Sequence, residues 1–122
     1  MEKQEIMNLI IDQYIKGTFC GDCETVQSAF SDDAQMNGFF GARYGSMSAA
    51  AYAAGISEGP SMREQGIEYH AKIEEIRLLS DRTATALIRE RNFHGTDFLT
   101  AFHLVKHPEN GWKIVSKLFT NI

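Results

Sequence analysis

Tyr14 is the first side chain with chemistry to offer. It is a phenol on an otherwise apolar stripe, following Ile6 and Ile10 at four-residue intervals. Buried there it packs with its hydroxyl at a pocket edge; facing a ligand it donates a hydrogen bond. Arg89 and Arg91 share one face of a predicted strand. Turned inward, two guanidinium groups attract an anionic ligand. Turned outward, they are solvated charges that can pair with Glu74 or Glu75 on a neighbouring strand. An inward pair needs a counterion, because a buried charge is costly alone, and Asp97 is the nearest candidate. His103 lies on the same strand face as Leu99, Ala101 and Val105. An imidazole there is either a hydrogen-bonded core group or a general base. His70, in Tyr69-His70-Ala71, is a second candidate base, whereas His94 and His107 fall in turns.

Cys20 and Cys23 form Cys-Gly-Asp-Cys. The macrodipole of a helix capped by Asp22 would favour a thiolate at Cys23. A thioredoxin-like pair, however, follows a strand, and here a helix precedes it. Zinc would need two further ligands at suitable spacing, and the scattered histidines do not supply them. The pair reads as small residues in a turn between helices, and no metal or cofactor is implied.

These residues must be positioned by a chain of 122 residues, enough for a single domain over 1–122 with a core that needs no staples. Apolar residues make up 43% and the net charge is −4. That excludes a disordered chain and gives no basic footprint for nucleic acid. The apolar run Ile6 to Ile11 is interrupted by Asn8 and ends at Asp12, too short for a membrane span and without a leader's pattern. A cytoplasmic protein is expected.

Helical spacing runs from about Glu2 to Thr18, with Gly17 and Gly21 at its end. Asp22 caps a short helix ending near Phe30, and Ser31-Asp32-Asp33 reads as a turn. Ala34 to Phe40 is a strand bent at Gly38 and Gly41; Met36, Phe39 and Phe40 are its large apolar residues. Ser48 caps an alanine-rich helix that Gly55 weakens, and Glu58 to Gly66 reads as a mobile loop around Gly59-Pro60. Four strands follow: Ile67 to Leu79 with a slip at Glu74-Glu75, Thr83 to Phe93, Asp97 to Lys106, and Trp112 to Phe119, where Trp112 anchors the core. Helices first and a meander after predict an α+β fold, helices on one face of a mostly antiparallel sheet. In Asp97 to Lys106, Phe98, Phe102 and Leu104 oppose Leu99, Ala101 and Val105. One helix layer covers one face, so a homodimer through the other is expected.

Two stretches carry a resemblance. The first is Tyr14-Ile15-Lys16-Gly17, Gly21-Asp22 and Ala29-Phe30-Ser31-Asp32-Asp33-Ala34. The second is Thr96-Asp97-Phe98-Leu99-Thr100 with Asn110-Gly111-Trp112-Lys113-Ile114-Val115-Ser116-Lys117-Leu118-Phe119. In this order they resemble the putative lumazine-binding and SnoaL-like branch of the nuclear transport factor 2-like superfamily. The resemblance implies a cone with a pocket between helix one and a curved sheet, and a dimer. In steroid-isomerase-like relatives the pocket holds a tyrosine on helix one, where Tyr14 falls. Their base would fall on Asn37-Gly38 and their later acid near Thr100-Ala101, and neither place has a carboxylate here. Alignment of Gly95 with the relatives' hairpin favours inward arginines. Asp97 and Lys117 belong to the matched pattern and read as a structural salt bridge, with a ligand-binding pair as the alternative.

The leading expectation is a small-molecule-binding protein for a flat or weakly acidic ligand, lined by Tyr14, Met36, Phe40, Arg89, Arg91 and His103, with Asp97 beside the arginines. The alternatives are a cyclase, isomerase or dehydratase using His103 or His70 with Tyr14, and a non-catalytic dimeric accessory domain. The fold supports all three, because function resides in the site.

Overall fold

The computed structural model describes residues 1–122. Its first helical stretch is α1 (Glu2–Leu9), a π-helical segment (Ile10–Ile15) and α2 (Lys16–Cys20). The stripe read from the sequence is real: Ile6, Leu9, Ile10 and Tyr14 are all buried. π-Helical turns are rare and often accompany functional sites. This one contains Tyr14. Gly21 ends α2 at φ 65°, a left-handed conformation that suits glycine. Asp22 then caps α3 (Cys23–Ser28), accepting from the Thr25 amide at 3.2 Å.

Strands β1 (Phe30–Phe40), β2 (Arg43–Ser48), β3 (His70–Leu78), β4 (Thr83–Phe93), β5 (Thr96–His107) and β6 (Gly111–Asn121) form one sheet in the order β2-β1-β6-β5-β4-β3. All pairs are antiparallel except β1 with β6. Ser48 caps α4 (Ala49–Ile56) through a 3.1 Å bond from the Ala51 amide. The fold is α+β, with helices against the inner face of a curved sheet. Its core joins the helical stripe to Ala84, Ala86, Ile88, Phe102, Leu104, Trp112 and Ile114. Each large aliphatic side chain buried there stabilises the fold by roughly 1.5–3 kcal/mol. No helix is long and apolar enough to cross a membrane.

Several local expectations need correction. Ser31-Asp32-Asp33 is not a turn but part of β1, where pairing with β6 breaks between Phe30 and Gln35. β2 is an additional strand at the sheet edge, where little apolar alternation marks it in the sequence. Within Glu58 to Gly66, the expected loop is anchored at its centre, while Glu58, Gly59 and Pro60 are exposed. Ser61 and Met62 are buried, and Ser61 and Glu64 cap each other reciprocally at 3.0 Å. The slip at Glu74-Glu75 is a bulge between Ile73 and Glu75.

Candidate functional site

Two irregularities at one end of the sheet aim side chains inward. Along β6, Trp112 and Ile114 face the helices. A register shift against His103 and Leu104 then inserts an extra residue, so Lys117 rather than Ser116 points inward. Bulges commonly re-aim a side chain in this way. Along β4, Ala84, Ala86, Ile88 and Glu90 face inward. The ladder shifts after Glu90, and Asn92 takes φ 60°. Phe93 and His94 then stand at the rim of a cavity of about 430 Å³.

The cavity is mostly apolar. Phe98 and Phe119 meet at 6.0 Å, and Phe40 meets Phe98 at 5.2 Å. Met36, Met47 and Ile56 complete the walls. The volume and the mostly apolar lining fall within the range of small-molecule pockets in general.

Its polar groups are few. Glu90 is 2% exposed. Tyr69 donates to it at 2.6 Å, Thr100 at 2.7 Å, and Tyr14 at 3.2 Å and 3.3 Å across both oxygens. Burial first, and then the Glu90 charge, raise the Tyr14 and Tyr69 hydroxyls well above the usual phenol range. Both therefore remain protonated donors at neutral pH. Three hydroxyls nearly saturate the carboxylate.

Lys117 has the opposite circumstances. It is 5% exposed and lines the cavity. Its ammonium lies 4.2 Å from the Tyr52 ring centroid, 4.9 Å from Tyr14 and 5.6 Å from Phe119. Ring faces stabilise a cation but accept none of its hydrogen bonds in the ordinary sense. No carboxylate lies within salt-bridge distance of it. Thr18 and the Tyr52 hydroxyl, 3.3 Å apart, hold the Tyr52 ring in place.

The expected site residues divide accordingly. Met36 and Phe40 line the cavity. Tyr14 is fully buried and outside the cavity lining, with its hydroxyl on Glu90 and its ring beneath the Lys117 ammonium. Arg89 and Arg91 point outward. Arg89 pairs with Glu74 at 3.2 Å and Arg91 with Asp97 at 3.8 Å. Asp97 also accepts from the Asn92 amide at 2.8 Å, which fixes the β4–β5 hairpin. It does not pair with Lys117. His103 is exposed on the outer face, paired across the ladder with Thr85 and Ser116, and shares no reacting point with Tyr14. His70 is exposed at the edge strand. Cys20 and Cys23 are half-buried free thiols.

Glu90, Thr100 and Tyr69 escaped the sequence reading. The signal for Glu90 was the run Ala84, Ala86, Ile88, whose parity continues onto it. β5 carries no carboxylate at Thr100-Ala101; the Thr100 hydroxyl there donates to Glu90 on the neighbouring strand.

The family profile described as "Putative lumazine-binding" matches residues 2–120. No curated protein sequence matches the chain. Among solved structures, a nuclear transport factor 2-like protein of unknown function from Shewanella baltica OS155 superposes with a TM-score of 0.83 at 24% identity, covering 99% of this chain and 94% of that one. A second, from Silicibacter pomeroyi DSS-3, gives 0.84 at 17% identity, covering 99% and 97%. A ketosteroid isomerase-like protein from Erwinia carotovora atroseptica SCRI1043 gives 0.68 at 16% identity, covering 96% and 93%. At these identities the likeness extends to the fold alone.

Proposed function

The chain belongs to the putative lumazine-binding family of nuclear transport factor 2-like proteins, and from that premise we propose that it binds a small flat molecule in the aromatic cavity. The observation that carries this is the cavity itself: roomy, open at one end, and walled by Phe40, Phe93, Phe98 and Phe119. Aromatic walls reward a planar body by offset and edge-to-face contact. The enzyme alternative built on His103 or His70 with Tyr14 has less support, because both histidines are exposed outside the cavity lining and Tyr14 is buried.

Calorimetric titration with lumazine and with other bicyclic planar probes tests the reading. Gly55 lines the cavity, and a Cβ added there meets no atom within 4 Å. Gly55→Leu should therefore reduce probe affinity by about ten-fold or more while leaving the melting temperature unchanged or higher, since leucine is the better helix former. Unchanged affinity in Gly55→Leu would place the ligand elsewhere. Failure of every planar probe to bind the wild type would remove the reading.

We further propose a homodimer through the outer face of the sheet. Phe39, Tyr44 and Leu118 stand there 46%, 60% and 60% exposed, on adjacent strands. Large apolar side chains exposed together on neighbouring strands, here with Asn37 and Thr120 between them, suit a contact with a second copy. Sedimentation at micromolar concentration should give twice the chain mass, and a species of 13.7 kDa would overturn it.

A further inference from the structure

We infer that the ligand is a flat monoanion whose carboxylate or enolate oxygen seats on Lys117. This rests on the cavity reading above and adds the ligand's charge and orientation.

The cavity holds one formal cation and one formal anion, and their circumstances differ. Glu90 has its acceptor capacity taken up by Tyr14, Tyr69 and Thr100, all from the chain itself. A cationic ligand would have to compete with those bonds. Lys117 makes no hydrogen bond to the chain and no ion pair, although it is 95% withdrawn from solvent. An ammonium has three donors. None of the three is taken by the chain, and the ammonium reaches solvent only through the cavity, so an anionic oxygen that enters can replace the water there as its acceptor. The bulge in β6 makes this more pointed. Without it the residue would lie on the outer face, free to hydrate. The chain turns a lysine inward, surrounds it with rings, and places no carboxylate within ion-pair distance of it.

The aromatic cage also fixes the direction of approach. Tyr14, Tyr52 and Phe119 occupy several sides of the ammonium, and the cavity is the side left open. An anionic oxygen conjugated to a planar ring can reach the ammonium while the ring remains between Phe98 and the methionine-lined wall. The polar end of the ligand then lies inward and its far edge lies at the rim, beside Phe93 and His94.

Three probes of equal size and different charge test this: 2-naphthoate, 2-naphthamide and 2-(aminomethyl)naphthalene, titrated at neutral pH. The wild type should bind the acid roughly ten- to hundred-fold tighter than the amide, the range of a charge-assisted hydrogen bond in a dry site. The amine should bind weakest. Lys117→Met should reduce the acid-to-amide ratio to about one with amide affinity retained, since methionine fills similar space. If that variant fails to fold, the wild-type series still decides. Equal affinity for acid and amide overturns the charge assignment and leaves the cavity reading intact. Tightest binding of the amine overturns it in favour of Glu90 as anchor. No binding by any of the three, together with failure of lumazine, overturns both.

Discussion

Replacement of Glu90 by alanine is expected to cost about 3 kcal/mol of folding stability, a fall in melting temperature of roughly 10 °C for a domain this size. The carboxylate is the common acceptor for Tyr14 on the π-helical segment, Tyr69 just before β3 and Thr100 on β5. Removing it leaves three buried hydroxyls with no shared partner, and each unsatisfied group costs about 1–3 kcal/mol before relaxation. The loss is bounded because the cavity adjoins Glu90, so a water can enter and recover part of it. Glu90→Gln is the informative companion. The amide keeps the shape and one oxygen, and the hydroxyls can rotate to accept from its NH₂, so about 1 kcal/mol should be lost. Urea denaturation of both variants measures this. If Glu90→Ala is as stable as the wild type, desolvating the carboxylate costs as much as its hydrogen bonds return, a known outcome for buried charge. The network would then be retained for some purpose other than stability.

The difficulty of finding Glu90 in the sequence has a physical cause. Arg89-Glu90-Arg91 is a charged triplet, and a strand puts its middle member opposite its neighbours. Whichever face is chosen for the arginines, Glu90 takes the other. Strand parity is all or nothing, because a shift of one residue exchanges the faces. The apolar residues Ala84, Ala86 and Ile88 carried the correct parity, but Leu87 and the threonines made the opposite face plausible as well. The inward aim of Lys117 is obscured in the sequence for a related reason. Simple alternation from Trp112 and Ile114 puts Ser116 inward, and only a bulge that depends on pairing with β5 reverses it. By contrast, the helical stripe through Tyr14 and the cap at Asp22 are legible, because each is fixed by residues close in sequence, and the slip at Glu74-Glu75 shows as a break in alternation within its own strand. Element order was local information. The aim of the cavity side chains came from pairing between distant strands.

That dependence on pairing leads to the second large effect, at a residue with no side chain. Gly38 in β1 lies opposite Phe119 in β6, within the one parallel ladder of the sheet. A Cβ placed on Gly38 would fall 2.0 Å from the Phe119 carbonyl oxygen and 2.7 Å from its Cγ. The carbonyl belongs to a strand held by β5 on its other side, so it cannot move without disturbing a second ladder. Gly38→Ala is therefore expected to cost about 3 kcal/mol, at the upper end of overpacking penalties. It should also weaken ligand binding, because β1 carries Met36 and Phe40 while β6 carries Lys117 and Phe119, and the cavity depends on their spacing. Gly45 provides an internal control. It pairs with Gly38 across the β1–β2 ladder, yet a Cβ there meets nothing within 4 Å. Gly45→Ala should be neutral or slightly stabilising, because alanine has less backbone freedom to lose on folding. Thermal denaturation of the two variants side by side separates close approach from glycine's general effect on strands. Equal melting temperatures would mean that β1 and β6 can part at no cost, and the cavity walls would then have no fixed spacing from which to select a planar ligand.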